Sequence, residues 1–179
     1  MTASVNEISE MIRPSPWVER FARHIPVNGR VLDLACGSGR HSRFLAALGY
    51  SVLAVDRDAG ALAALRDVPG VVVQEMNLEG EAWPLEGQRF DGIVVTNYLW
   101  RARLSDVMAL LAPGGVLIYD TFMLGNEIYG KPSNPDFLLQ PGELRQRVAD
   151  AGLRELAFAE GLTAAPKPAM RQSVCAVCD

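Results

Sequence analysis

The stretch Val31-Leu32-Asp33-Leu34-Ala35-Cys36-Gly37-Ser38-Gly39-Arg40 limits what this chain can fold into more than any other. An apolar run broken by a single acid leads straight into a Gly-x-Gly turn, and a helix-period segment from Gly39 to Leu48 follows. Strand, glycine turn and helix in that order open a crossover unit, whose next strand lies parallel to the first. Glycine is needed at the turn because the backbone must bend tightly and let a ligand lie against it with no side chain between. The following strand, Ser51 to Val55, ends in Asp56, seventeen positions beyond Gly39. A carboxylate at that spacing can grip the two hydroxyls of a ribose. The segment from Val31 to Asp58 is therefore expected to hold a nucleoside.

The pattern repeats along the chain. A helix is predicted near Ala59 to Arg66, strands at Val71 to Met76 and Phe90 to Thr96, and a helix near Ser105 to Leu111 stopped by Pro113-Gly114. A fifth strand runs from Gly115 to Asp120, a helix from Pro141 to Ala151 with Gly152 as its stop, and a closing antiparallel pair covers Leu153 to Glu160 and Met170 to Cys178. Before the first strand, Pro16 suits a first helical turn, and Trp17, Val18, Phe21 and Ala22 have helical spacing. Residues 1–29 are expected to form an N-terminal helical lid and residues 30–179 the domain proper. Between Phe122 and Leu139 a loop rich in Gly and Pro is unusually long for a connection inside a domain, which marks it as a functional element.

Composition closes off several classes of function. With 49% apolar and 21% charged residues over 179 positions, the chain has the make-up of one globular domain. No apolar run approaches the roughly 18 residues of a membrane span. Seventeen basic against 21 acidic residues leave a net charge of −4 with the cations scattered, so nucleic acid is not an expected partner. The amino terminus has no basic stretch followed by an apolar one, and a cytoplasmic location is expected. Three cysteines read as reduced thiols. Cys175 and Cys178 form a C-x-x-C without a second pair, so no metal site is expected.

Asp33 and Ser42 bear on which nucleoside cofactor fits. A carboxylate beside the loop repels a pyrophosphate and favours a ligand with an ammonium group, and Ser42 stands where a dinucleotide fingerprint places a third glycine or an alanine. S-adenosylmethionine is such a cationic ligand. At this point the sequence resembles the class I S-adenosylmethionine-dependent methyltransferases, whose first motif runs apolar-apolar-Asp-apolar-Gly-x-Gly-x-Gly. Asp33, Gly37 and Gly39 match it, and Ala35 departs from it where glycine is usual. Asn77-Leu78, Phe90 to Val95 and Leu111 to Leu117 resemble the later motifs, so the likeness covers most of the chain. Cys36 to His41, Asn97 to Trp100 and Asn126 to Pro135 are similar to the small bacterial tellurite-resistance-type methyltransferases.

The resemblance implies an α/β, single-domain, Rossmann-like fold: a seven-stranded, mainly parallel sheet in the order 3-2-1-4-5-7-6 with helices on both faces. It implies a cofactor held by Asp33, Ala35, Cys36, Gly37, Gly39, Asp56, Arg57, Asn77, Leu78 and Thr96. The Asn77 amide oxygen is expected to accept a hydrogen bond from an exocyclic amine. His41 and Tyr98 are candidates for a catalytic role. Trp17, Tyr98, Trp100, Glu127, Tyr129 and Lys131 are candidates for the acceptor, with Asn126 and Asn134 beside them in the loop. The expected acceptor is a small molecule such as a thiol, a chalcogen oxyanion or a carboxylate. Asn97-Tyr98-Leu99 departs from the Asn/Asp-Pro-Pro-aromatic motif of amino-methylating enzymes, which disfavours an exocyclic amine. Met11 to Phe21 and Phe122 to Leu139 are expected to cover the site of a monomer or homodimer. An NAD-dependent oxidoreductase and a non-catalytic S-adenosylmethionine-binding module are the competing readings.

Overall fold

In the computed structural model, which describes residues 13–179, seven strands form one sheet: β1 (Arg30–Leu34), β2 (Ser51–Asp56), β3 (Val71–Glu75), β4 (Phe90–Thr96), β5 (Leu111–Phe122), β6 (Arg154–Thr163) and β7 (Ala169–Val177). Their order is β3-β2-β1-β4-β5-β7-β6, parallel up to β5, with β7 antiparallel to both of its neighbours. The helices are α1 (Pro16–Phe21), α2 (Arg40–Ala47), α3 (Ala59–Ala63), α4 (Leu104–Met108) and α5 (Glu143–Asp150). Among the described residues no helix is long and apolar enough to cross a membrane.

Alternation along the buried strands assigns the layers. Val31, Val52, Ala54, Val94, Val116, Ile118 and Cys175 pack with Val18 and Phe21 of α1, Leu45 of α2 and Leu62 of α3. Their sequence neighbours Leu32, Leu34, Leu53, Val55, Ile93, Val95, Leu117 and Tyr119 pack with Leu104, Val107 and Met108 of α4 and with Leu144 and Val148 of α5. A central strand with a core on both faces has to be mainly apolar, and Val31-Leu32, Ile93 to Val95 and Val116 to Tyr119 are the apolar runs of β1, β4 and β5. Cys175 is wholly buried in this packing, as its place on a central strand demands.

Two boundaries differ from the sequence reading. The helix before β5 ends at Met108, because Leu111 already pairs with Phe90 across to β4. Pro113-Gly114 is then a kink inside β5 rather than the helix stop, with the register slipping between Phe90 and Gly92. Gly114 donates to the Cys178 carbonyl at 2.6 Å, so the kink is held by the chain's own tail. The N-terminal expectation meets a limit too: Met11 lies outside the described residues, and α1 lies against the sheet as an outer helix. Ser15 caps α1 by accepting the Trp17 N–H, and Pro16 occupies its first turn.

Candidate functional site

The turn after β1 places three residues in the left-handed region, Ala35 (φ 54°), Gly37 (φ 55°) and Gly39 (φ 78°), and the two glycines serve different ends. A Cβ on Gly37 would meet no atom within 4 Å, so open space lies over that peptide. A Cβ on Gly39 would fall 2.3 Å from Leu65 Cδ1, so this glycine exists to let α2 and the segment after α3 close on each other. Ala35 carries a side chain in a backbone conformation that costs non-glycine residues about 1–2 kcal/mol.

Asp56, at the end of β2, is fixed from both sides. Its Oδ2 accepts the Gly37 N–H at 2.8 Å and its Oδ1 the Asp58 N–H at 2.9 Å. Asp58 in turn caps α3 through Ala61. The glycine turn and the acid are one rigid unit at the mouth of a cleft of 530 Å³. Ala35, Asp56, Arg57, Asn77 and Leu78 line one end of it, together with Met76 and Glu79. Asn97, Tyr98, Leu99, Thr121, Phe122, Pro132 and Phe137 line the other. The Asn77 amide oxygen accepts the Glu79 N–H at 3.1 Å, which occupies one of its two lone pairs.

Several expected residues are not among those that line the cleft. Asp33 is only 1% exposed and does not line the cleft; its Oδ2 accepts the Ser42 hydroxyl at 2.6 Å. It is the polar break on the α1–α3 face of β1, where the first turn of α2 offers donors to a buried carboxylate. Burial raises its pKa to about 6, against the hydrogen bonds from Ser42 and the charge of Arg40. Cys36 is buried, its thiol turned to the Gly37 carbonyl and its pKa driven up, first by burial and then by the charge of Asp33. His41 is 2% exposed, with Nε2 accepting the Ser15 N–H at 3.0 Å and Nδ1 lying 3.3 Å from Thr96 Oγ1. Burial, followed by the charge of Arg40, lowers its pKa to about 3. His41 and Thr96 face each other, and neither is among the residues that line the cleft.

The aromatic and loop candidates divide in the same way. Trp17 donates its indole N–H to the Val174 carbonyl at 3.1 Å and stacks on Phe21, away from the cleft. Trp100 is half-buried and also outside the cleft lining. Tyr98 does line it, with a buried hydroxyl that has no partner among the described residues. Burial, and next the charge of Glu79, raise its pKa, which keeps it a neutral phenol. In the loop, Glu127 folds back on the Gly125 N–H and Asn134 caps Asp136. Asn126 is buried between the Pro132 carbonyl and the Met170 N–H. Tyr129 and Lys131 are exposed. The loop reaches the cleft through Pro132 and Phe137 instead of through these polar residues.

Sequence reading missed a buried polar knot. Asp120 accepts from Ser15 Oγ at 2.7 Å, Arg171 Nε at 2.9 Å and Ser173 Oγ at 2.8 Å. The signal was available, since Asp120 interrupts the apolar run Val116 to Tyr119 just as Asp33 interrupts β1. Arg101 makes a two-pronged pair with Glu143, at 2.8 Å for both contacts, and donates to the carbonyls of Asp136 and Leu138.

The strand order with its antiparallel β7, the glycine turn and the acid ending β2 define the class I S-adenosylmethionine-dependent methyltransferase fold. Residues 31–115, just under half of the chain, match the family model described as a methyltransferase domain. Protein-L-isoaspartate O-methyltransferase of Chlorobaculum tepidum is 38% identical over 104 residues, covering 56% of this chain and 48% of that protein. The chain thus spans about half the length of that curated relative. Among solved structures, TehB from Haemophilus influenzae superposes with a TM-score of 0.76 at 20% identity, covering 93% of this chain and 63% of that one. The glycopeptide N-methyltransferase MtfA, complexed with S-adenosylhomocysteine, gives a TM-score of 0.64 at 21% identity over 91% of this chain and 88% of its own.

Proposed function

We propose that this protein binds S-adenosylmethionine at the Gly37–Asp56 end of the cleft and transfers its methyl group to a small acceptor at the Asn97–Phe122 end. The observation that carries the reading is the clamp in which Gly37 N–H holds the Asp56 carboxylate at 2.8 Å, beneath a peptide with open space over it. A carboxylate fixed by two backbone donors keeps lone pairs for a ribose diol. The methyltransferase-domain match and the structural likeness to TehB and MtfA support the same reading. Three unpaired thiols suit a reducing, cytoplasmic setting.

S-adenosylmethionine supplies a methyl group already activated by the sulfonium charge. What remains for the protein is to align the acceptor and keep water out. Leu99, Phe122, Pro132 and Phe137 give that end of the cleft apolar walls. Tyr98 stays protonated and His41 stays buried, so the acceptor is one that sheds its own proton near neutrality, such as a thiol or a carboxylate. A dinucleotide reading is disfavoured because Ser42, whose hydroxyl is committed to Asp33, stands where the fingerprint's third glycine would pack helix against strand.

Asp56→Ala tests the assignment. Calorimetric affinity for S-adenosylhomocysteine is expected to fall by about 1.5–3 kcal/mol with the melting temperature of the free protein little changed. Unchanged affinity in a folded variant removes Asp56 from the site. Release of S-adenosylhomocysteine with a panel of small thiols and carboxylates separates an enzyme from a binding module.

A further inference from the structure

Asn97 lines the acceptor end of the cleft, is solvent-exposed, and sits in the left-handed region with φ at 54°. Its own N–H donates to the Asp120 carbonyl at 3.0 Å, which fixes the backbone. The side chain is fixed separately, because Arg171 Nη2 donates to Asn97 Oδ1 at 2.7 Å. Arg171 stands opposite Phe122 in the β5–β7 register, with its guanidinium 4.5 Å from the Phe122 ring and its Nε on Asp120. It is 14% exposed, so the group that orients Asn97 is itself held on three sides.

A guanidinium can only donate, so the atom of Asn97 that faces it has to be the oxygen. The carboxamide NH2 is then turned away from Arg171, and it has no partner among the described residues. We propose that Arg171 sets Asn97 as a hydrogen-bond donor, and that this pair selects a methyl acceptor bearing a carboxylate over one bearing an amine. The inference rests on the methyltransferase reading of the cleft and names the acceptor's recognition group within it. An amine needs a lone pair to receive its N–H, and the Asn97 oxygen is already turned to a cation. A carboxylate meets the N–H donors of Asn97, while the charge of Arg171 is taken up by Asp120.

Benzoate and benzylamine, matched in size and opposite in charge, serve as probes, titrated into the protein with and without saturating S-adenosylhomocysteine. Heteronuclear NMR follows the Asn97 side-chain amide, identified by its loss in Asn97→Asp. Benzoate is expected to shift that amide and to bind at least about tenfold more tightly than benzylamine. Asn97→Asp keeps the shape, tolerates the left-handed backbone and replaces the donor by an acceptor, so it is expected to reverse the preference. Arg171→Gln, checked for folding by thermal melting, is expected to erase it. Equal or tighter binding of benzylamine, a benzoate titration that leaves the Asn97 amide unmoved, or an unchanged preference in Asn97→Asp each overturns the proposal. S-adenosylhomocysteine affinity, measured on the same samples, separates the two readings. Its absence defeats the methyltransferase assignment, whereas its presence without the benzoate preference defeats this inference alone.

Discussion

Asp33 on β1 and His41 on α2 flank the glycine loop and respond to acid with opposite signs. His41 has its pKa lowered from 6.5 to about 3, chiefly by burial, so the unfolded chain takes up a proton before the folded one does. Its contribution to stability is present above pH 6.5 and is lost as the pH falls toward 3, on the order of 5 kcal/mol in full. Asp33 has its pKa raised from 3.8 to about 6, again chiefly by burial, so the unfolded chain ionises first. Its effect is to cost stability as the pH rises from 3.8 through 6, on the order of 2–3 kcal/mol. Urea unfolding measured from pH 4 to pH 7 separates the two. His41→Gln should flatten the acid limb of the stability curve, and Asp33→Asn should steepen it. The same slope in wild type and both variants would mean that neither group is buried in solution as it is here.

At the scale of elements, the connection from β5 to α5 shows what sequence does and does not convey. Its existence, length and place at the carboxyl edge of the sheet follow from glycine, proline and the strand pattern, all of which are local. Which of its side chains face the cleft does not follow, because polarity says nothing about direction. Glu127 and Asn134 bond to backbone within two residues of themselves, and Asn126 turns inward to Met170, forty-four residues away. Gly37 and Asp56 were legible because strand, turn and strand fix their geometry within twenty residues. The element is also pinned from outside by Arg101, whose four hydrogen bonds reach Asp136, Leu138 and Glu143. Arg101→Leu should speed amide hydrogen exchange across residues 123–142 and lower stability by about 1–3 kcal/mol, with S-adenosylhomocysteine affinity within about threefold of wild type. Arg101→Lys should recover little of this, since an ammonium cannot make the planar two-pronged pair. Unaltered exchange in Arg101→Leu would show that Pro132 and Phe137 hold the loop without it.

Across the whole molecule, three distant parts of the chain meet at one carboxylate. Ser15 precedes α1, Asp120 lies near the end of β5, and Arg171 and Ser173 belong to β7, with 105, 51 and 53 residues between Asp120 and its partners. No local pattern announces such a junction, since each partner looks ordinary in its own segment. The consequence is energetic as well as topological. Removing the carboxylate leaves the Arg171 guanidinium, 14% exposed, without its counter-charge and leaves two buried hydroxyls short of an acceptor. Breaking a buried pair from one side costs about 3–5 kcal/mol, whereas losing one neutral hydrogen bond costs about 1 kcal/mol. Asp120→Ala should therefore lower stability several times more than Ser15→Ala or Ser173→Ala does. Urea unfolding followed by tryptophan fluorescence and by far-ultraviolet circular dichroism provides the test. If the knot binds α1 and β7 into one cooperative unit, both signals should coincide in wild type and in Asp120→Ala, with a lower midpoint and the same slope in the variant. Separation of the two signals in the wild type would mean that α1 comes away on its own, and that the junction at Asp120 is a local contact with no hold on the rest of the fold.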